Sequence, residues 1–184
     1  MGSQVLVIGL DATAPGAEQT GIDFHPGDAK RLLILGDDAA APAVCSILEQ
    51  LPTHAAEVEA VVEVPQLARK IEAGPDGHWT DSRGNRINIR WQERLGERGD
   101  RLAEAIEDHL HRFPLPRCQQ DSPEEGPDDL LWDTPASPPQ EFYSWIAGES
   151  TMVRRLRRIL VNDHGVDRRH IAFMGYWRHG SAGM

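Results

Sequence analysis

The chain is poor in the residues that build covalent or metal-held scaffolds. It has two cysteines, Cys45 and Cys118, in 184 residues. That makes neither a disulfide framework nor a cysteine metal motif. The eight histidines do not cluster, and His109 and His111, two apart on an expected helix, face different ways. No metal site is expected. No apolar run approaches the length of a membrane span, and the chain opens Met1-Gly-Ser-Gln-Val-Leu6, with no basic n-region and no long apolar h-region. Membrane insertion is not expected, and the cytoplasm is the expected location. Positive charge is also scarce: 19 Lys and Arg stand against 29 Asp and Glu, a formal net charge of −10. So acidic a chain is a poor nucleic-acid binder unless it segregates a basic face. The G-x-G-x-x-G fingerprint, the Walker A lysine and the G-x-S-x-G elbow are all missing. No nucleophile–base pair is evident, so no catalytic residue is assigned.

Apolar residues are not lacking. They make up 40% of the chain, enough for a real core in one domain of ordinary size. They fall in two alternating periods. Val5–Leu10 is a short strand candidate, and residues 11–30, rich in Gly, Pro, Ala and Asp, read as a linker. Arg31–Gly36 is a continuous apolar run suited to a strand buried on both faces. Pro42 sits well at the start of the helix that follows, and Pro52 ends it. Val58–Val64 is the second strand and Pro65–Ala73 a short helix; a hairpin around Gly84 leads into Ile87–Trp91, the third. Beyond Gly99 a helix carries Leu102, Ala105, Ile106, His109 and Leu110 on one side. Residues 114–140 hold seven prolines and six acids against one arginine, which predicts an exposed excursion, with Leu130-Leu-Trp132 pinning it to the body. Phe142–Ile146 is the fourth strand, Ala147–Ser150 a tight turn, and the stretch from Thr151 a helix; His170–Trp177 is the fifth strand. This β-α alternation predicts an α/β fold, a doubly wound five-stranded parallel sheet with helices on both faces, over residues 31–184.

In such sheets ligands bind at the carboxyl ends of the strands. Two turns there carry small residues and open helices, Gly36 to Pro42 and Ala147 to Ser150. Asp37 and Asp38 would repel a phosphate set directly on them and suit ribose hydroxyls better. Ordinary helix-capping loops are the alternative reading of both turns. Arg94, just past the third strand, stands where a base can meet a ribose 2′-phosphate, or is a surface arginine. Arg154, Arg155, Arg157 and Arg158 read as a solvated helix face. Trp177 and Arg178 offer a stack and a clamp for an aromatic ligand, whereas Trp91, Trp132 and Trp145 read as packing residues and Cys45 as a core thiol. Nothing in the chain supplies redox chemistry of its own, so a bound nicotinamide must pass its hydride to a flavin or substrate held elsewhere.

Four blocks carry a resemblance: Leu35-Gly-Asp-Asp-Ala-Ala-Ala-Pro-Ala-Val44, Trp91-Gln-Glu-Arg94, Tyr143 to Arg158, and Phe173-Met-Gly-Tyr-Trp-Arg178. In this order they resemble the C-terminal part of the siderophore-interacting proteins, flavin-dependent ferric-siderophore reductases related to ferredoxin–NADP reductases. The resemblance covers most of residues 31–178. It implies the NAD(P)H-binding half of such a reductase, with strand order 3-2-1-4-5. It implies that Gly36, Asp37, Asp38 and Pro42 lie along an NADPH or NADH nucleotide and that Arg94 approaches the adenosine phosphate. Ala147, Gly148 and Glu149 would then lie near the ribose or nicotinamide end, and Trp177 and Arg178 toward a flavin. A threonine of the family's first turn is Ala39 or Ala40 here. The family's N-terminal flavin barrel and its Arg-x-Tyr-(Thr/Ser) motif have no counterpart upstream of Arg31. FAD is therefore expected only from a partner flavoprotein or as a loosely bound ligand. The implied substrate is a ferric siderophore, and self-association or a partner would cover the edge the barrel leaves. A non-catalytic member of the same fold, binding a partner or a ferric siderophore without nucleotide turnover, is the alternative.

Overall fold

A computed structural model describes residues 22–53, 56–66, 76–118, 132–133 and 141–180. Its strands are β1 (Arg31–Asp37), β2 (Glu57–Val64), β3 (Gly77–Thr80), β4 (Arg86–Glu93), β5 (Trp132–Asp133), β6 (Phe142–Glu149) and β7 (Ile171–Trp177). Its α-helices are α1 (Ala41–Glu49), α2 (Asp100–Arg112) and α3 (Ser150–Arg158). A π-helical turn, Ile159–Asp163, extends α3, and a 3-10 turn, Arg168–His170, leads into β7.

The α/β class is as expected, but the sheet is larger and mixed. It has seven strands in the order β3-β4-β2-β1-β6-β7-β5. The central run β4-β2-β1-β6-β7 is parallel throughout. Antiparallel β3 and β5 flank it, so the expectation of five parallel strands alone is corrected. Both additions are short edge strands, which carry little periodic signal. β5 is two residues of the acidic excursion, paired with Met174 and Phe173 of β7. The hairpin around Gly84 is β3–β4, with Asp81 accepting from the Arg83 and Asn85 N–H groups in its turn.

Burial on both faces explains the apolar runs. Leu32 and Ile34 of β1 point to one face with Val44, Ile47 and Leu48 of α1. Leu33 and Leu35 point to the other with Leu102 and Ile106 of α2 and Val153 and Leu156 of α3. Trp91 and Trp145 are core residues, as their reading predicts. Residues ahead of β1 pack too. Phe24 meets Tyr143 edge-to-face at 5.5 Å, and the Trp145 indole N–H donates to the Asp23 carbonyl at 3.2 Å.

Two local expectations change. Ala147–Ser150 is not a tight turn: β6 stays extended through Glu149, and α3 begins at Ser150. A register irregularity at Gly148/Glu149 lets Glu149 pair with Trp177. The four helix arginines are not one solvated face, since Arg157 is buried with its guanidinium 5.6 Å from the Phe173 ring and Arg155 pairs with Asp100 at 2.7 Å. The Val5–Leu10 strand, most of the 65–73 helix and most of the 114–140 excursion lie outside the described residues.

Candidate functional site at the carboxyl edge

The parallel strands bring their carboxyl ends together, and Asp37 lies at the centre. It ends β1, next to both β2 and β6, and its side chain is fully buried. One carboxylate oxygen, Oδ1, accepts the N–H groups of Ala39 and Ala40 at 3.0 and 3.3 Å, the entry to α1. The other, Oδ2, accepts the Glu149 N–H at 3.0 Å and the Trp177 indole N–H at 3.2 Å. Arg98 reaches the same oxygen at 3.4 Å. Burial pushes the Asp37 carboxyl above its ordinary value, the Asp38 charge adds to that, and the donors and Arg98 oppose it without cancelling it.

Two glycines exist to let this happen. A Cβ on Gly36 would lie 2.9 Å from the Ala40 Cβ, so Gly36 lets α1 sit close on β1. Gly148 has φ 145°, and a Cβ there would lie 2.6 Å from the Asp37 Cγ. Both fit the small-residue reading of the two turns, but what comes close at each is the protein itself.

A second carboxylate organises the other side. Glu63 of β2 is fully buried and accepts the Gly99 N–H on both oxygens at 3.0 Å and the Arg101 N–H at 3.2 Å. It also holds the Arg94 Nε at 2.8 Å, while an outer Arg94 nitrogen lies 3.2 Å from Asp38. Burial works against the Arg94 charge, but the Glu63 and Asp38 carboxylates outweigh it and push its pKa up. Arg98 bridges Asp37 and Asp38 and lies over the Trp177 ring at 4.7 Å.

Glu149 turns inward as the cap of α3. Its carboxylate accepts the Met152 N–H at 2.9 Å and the His179 N–H at 3.1 Å. Burial would raise this carboxyl, and those N–H groups with Thr151 hold it low instead. The Ser150 hydroxyl donates to the Trp177 carbonyl at 2.9 Å, tying α3 to the end of β7.

The expected residues thus meet at one edge: Gly36, Asp37, Asp38, Arg94, Ala147, Gly148, Glu149 and Trp177. Pro42 lies exposed in the first turn of α1, and Arg178 is exposed just past β7. Glu63 and Arg98 were not singled out from the sequence. The signal for Glu63 is an acid inside the apolar run Val58–Val64, a position that costs stability unless it is paired. Among the described residues no group of three or more His, Cys, Asp or Glu is placed to hold a metal ion, and no helix is long and apolar enough to cross a membrane.

The sequence model of the siderophore-interacting protein family matches residues 29–180. The chain belongs to that family. Solved structures share the fold. A siderophore-interacting protein from A. baumannii is 18% identical with a TM-score of 0.55, over 89% of this chain and 52% of that one. One from Aeromonas hydrophila is 23% identical with a TM-score of 0.51, over 83% and 52%. A siderophore utilization protein from T. fusca is 24% identical with a TM-score of 0.52, over 85% and 48%. The chain spans about half the length of these structures. No curated protein matches it.

Proposed function

We propose that this domain binds NADH or NADPH along its carboxyl edge and serves ferric-siderophore reduction in the cytoplasm. The observation that carries the reading is the convergence of the family's sequence blocks on one edge, with Asp38 and the Arg98–Trp177 stack at the surface there. These residues fit a dinucleotide through its hydroxyls and rings. The Asp38 carboxylate, its side chain 42% exposed, accepts from ribose hydroxyls. Trp177 and Arg98 together present a planar cationic platform to an aromatic ring. Gly36, Pro42, Ala147, Gly148 and Glu149 shape the backbone beneath, and Arg178 stands at the outer end. When bound, the nicotinamide supplies a hydride, which a flavin from a partner or loosely held FAD converts to single electrons for Fe(III). The protein's own part is to bind, orient and exclude water.

A specific observation favours a second reading, a binding protein without nucleotide turnover. The N–H groups of Ala39 and Ala40, in the turn that leads into α1, are taken by Asp37, and Arg94 and Arg98 are both matched to internal carboxylates. A phosphate placed here would have to displace them.

Titration with NADH and NADPH, with and without FAD, separates the readings, with Trp177 fluorescence as the signal. The first predicts saturable quenching, weakened about tenfold by Asp38→Ala through loss of charge-assisted hydrogen bonds. Binding of a ferric siderophore with no response to either nucleotide establishes the second. Arg94→Ala is a poorer probe, because it strands the buried Glu63 carboxylate.

A further inference from the structure

We propose that the opposite, amino edge of the sheet carries a binding site for a small organic anion with an apolar body, of the aromatic-carboxylate class. This does not rest on the nucleotide reading. A cavity of about 480 Å3 opens there, lined by Arg31, Trp79, His109, Arg112 and Phe113 with Glu59 at its base. A second, of about 260 Å3, adjoins it and shares Glu59, Asn88 and Arg112. The combined size suits a small organic molecule.

Charge here runs against the rest of the chain. Arg31, Arg86, Arg90 and Arg112 face three acids, Glu57, Glu59 and Asp108, in a protein of net charge −10. Arg86 pairs with Glu57. Glu59, 6% exposed, is shared by Arg90 at 2.6 Å, by Arg112 and by the His109 Nδ1 at 2.9 Å. Arg31 has no carboxylate partner among the described residues, and its guanidinium lies 5.5 Å from the Phe113 ring centre. One arginine is therefore left to meet an anion, beside an aromatic ring.

Buried polar atoms add an independent observation. The His109 Nε2, the Asn88 Oδ1 and the Arg90 Nε are buried with no hydrogen-bond partner among the described residues. All three belong to side chains around Glu59. Buried polar groups are normally satisfied, and three such atoms in one cluster mark where a polar ligand belongs. The His109 Nδ1–H donates to Glu59, so Nε2 accepts from a ligand hydroxyl in the neutral ring and donates to a carboxylate in the cation. The apolar part of the ligand has Trp79, Ile87, Val58 and Phe113 to lie on.

The test is a titration of the full chain with sodium benzoate, followed by amide shifts in NMR spectra. Benzamide serves as the neutral isostere and inorganic phosphate as the anion without an apolar body. The proposal expects saturable benzoate shifts at Arg31, Trp79 and Arg112, much weaker shifts with the two controls, and affinity about tenfold lower in Arg31→Gln. Absence of saturable binding overturns it, as do shifts that map to the carboxyl edge. Benzamide equal to benzoate overturns the anion part, and phosphate equal to benzoate overturns the apolar part. If Arg31→Gln fails to fold, the map on the unaltered protein decides.

Discussion

The two edges of the sheet solve opposite problems with the same residue types. At the carboxyl edge Asp37 and Glu63 are buried, and backbone N–H groups, the Trp177 indole and paired arginines satisfy them. At the amino edge Glu59 is equally central, yet arginine is in excess and buried polar atoms around it lack partners. The difference separates sequence recognition from chemical availability. The blocks that mark the family build a closed network, whereas the cavity lies where no family block falls. A carboxylate that takes the N–H groups of the turn before a helix, as Asp37 takes those of Ala39 and Ala40, leaves a ligand fewer donors at that edge beside the surface layer of Asp38, Trp177 and their neighbours.

The most severe way to break the closed edge is Gly148→Ala. The residue would hold φ 145°, costly for any side chain, with its Cβ 2.6 Å from the Asp37 Cγ and 2.7 Å from the Met152 Cε. Met152 can yield, but Asp37 is held by every donor around it. We expect a loss of about 3–4 kcal/mol, strain and overpacking together, read by urea denaturation at constant m-value. A loss under about 1 kcal/mol would mean that the edge is looser than its hydrogen bonds imply.

Next is Asp37→Ala, expected to cost about 3 kcal/mol, because it takes the side-chain acceptor from the Ala39 and Glu149 N–H groups and the Trp177 indole, while the Ala40 N–H keeps the residue-37 carbonyl and Arg98 keeps Asp38. Asp37→Asn should cost less, since the amide oxygen still accepts. Its pH dependence carries a sign. Burial raises the Asp37 carboxyl in the folded protein, so this group's contribution is complete below the ordinary value of 3.8 and is lost as pH rises through the folded value. Asp37→Asn does not titrate there and should gain on the unaltered protein as pH rises from 4 toward 7. A gap that widens instead would show the carboxylate to be net stabilised.

Glu59→Gln sharpens the contrast from the other edge. It removes the one carboxylate that Arg90, Arg112 and His109 share, and should cost about 2 kcal/mol. Burial raises the Glu59 carboxyl, but His109 and Arg112 more than offset this and hold it low, so its contribution is present above 4.5 and fades as pH falls. The same substitution should also strengthen benzoate binding, since it frees a guanidinium. The carboxyl-edge variants should leave benzoate binding unchanged.

Much of the fold was legible because burial on both faces writes itself as unbroken apolar runs, as at Arg31–Gly36 and Val58–Val64. The order of the central strands matches what the family resemblance implied. Periodicity could not show β5, two residues long in a proline-rich stretch, or the extension of β6. Ala-Gly-Glu reads as a turn, and it stays extended because Asp37, distant in sequence, takes the Glu149 N–H. The site was legible as an edge but not as a network. Gly36, Asp37, Arg94 and Gly148 announced themselves in motifs, while their pairing with Glu63 and Arg98 depends on which strand ends the topology brings side by side. Arg94 illustrates the gap: local position suggests a phosphate ligand, and tertiary structure gives it two carboxylates first.

The smallest expected effect lies at the amino end of β7, away from the cavity and from the carboxyl-edge network, and calibrates the others. Asp167 caps the 3-10 turn before β7, accepting the Arg169 N–H at 2.9 Å and pairing with the Arg169 guanidinium at 2.6 Å. The Arg169 hydrogen bond, against some burial cost, brings its carboxyl down from 3.8 to about 2. A lowered value means the contribution is present above 3.8 and disappears as pH falls through about 2. Arg169 is exposed, so solvent screening holds the effect to about 1 kcal/mol. Asp167→Asn keeps the cap and loses the charge. Its stability should fall short of the unaltered protein by that amount at pH 6 and converge with it toward pH 2. Benzoate and nucleotide responses should not move, because the turn lines neither the cavity nor the carboxyl-edge network. Convergence with a larger gap would mean that the turn, and not the ion pair alone, depends on the charge.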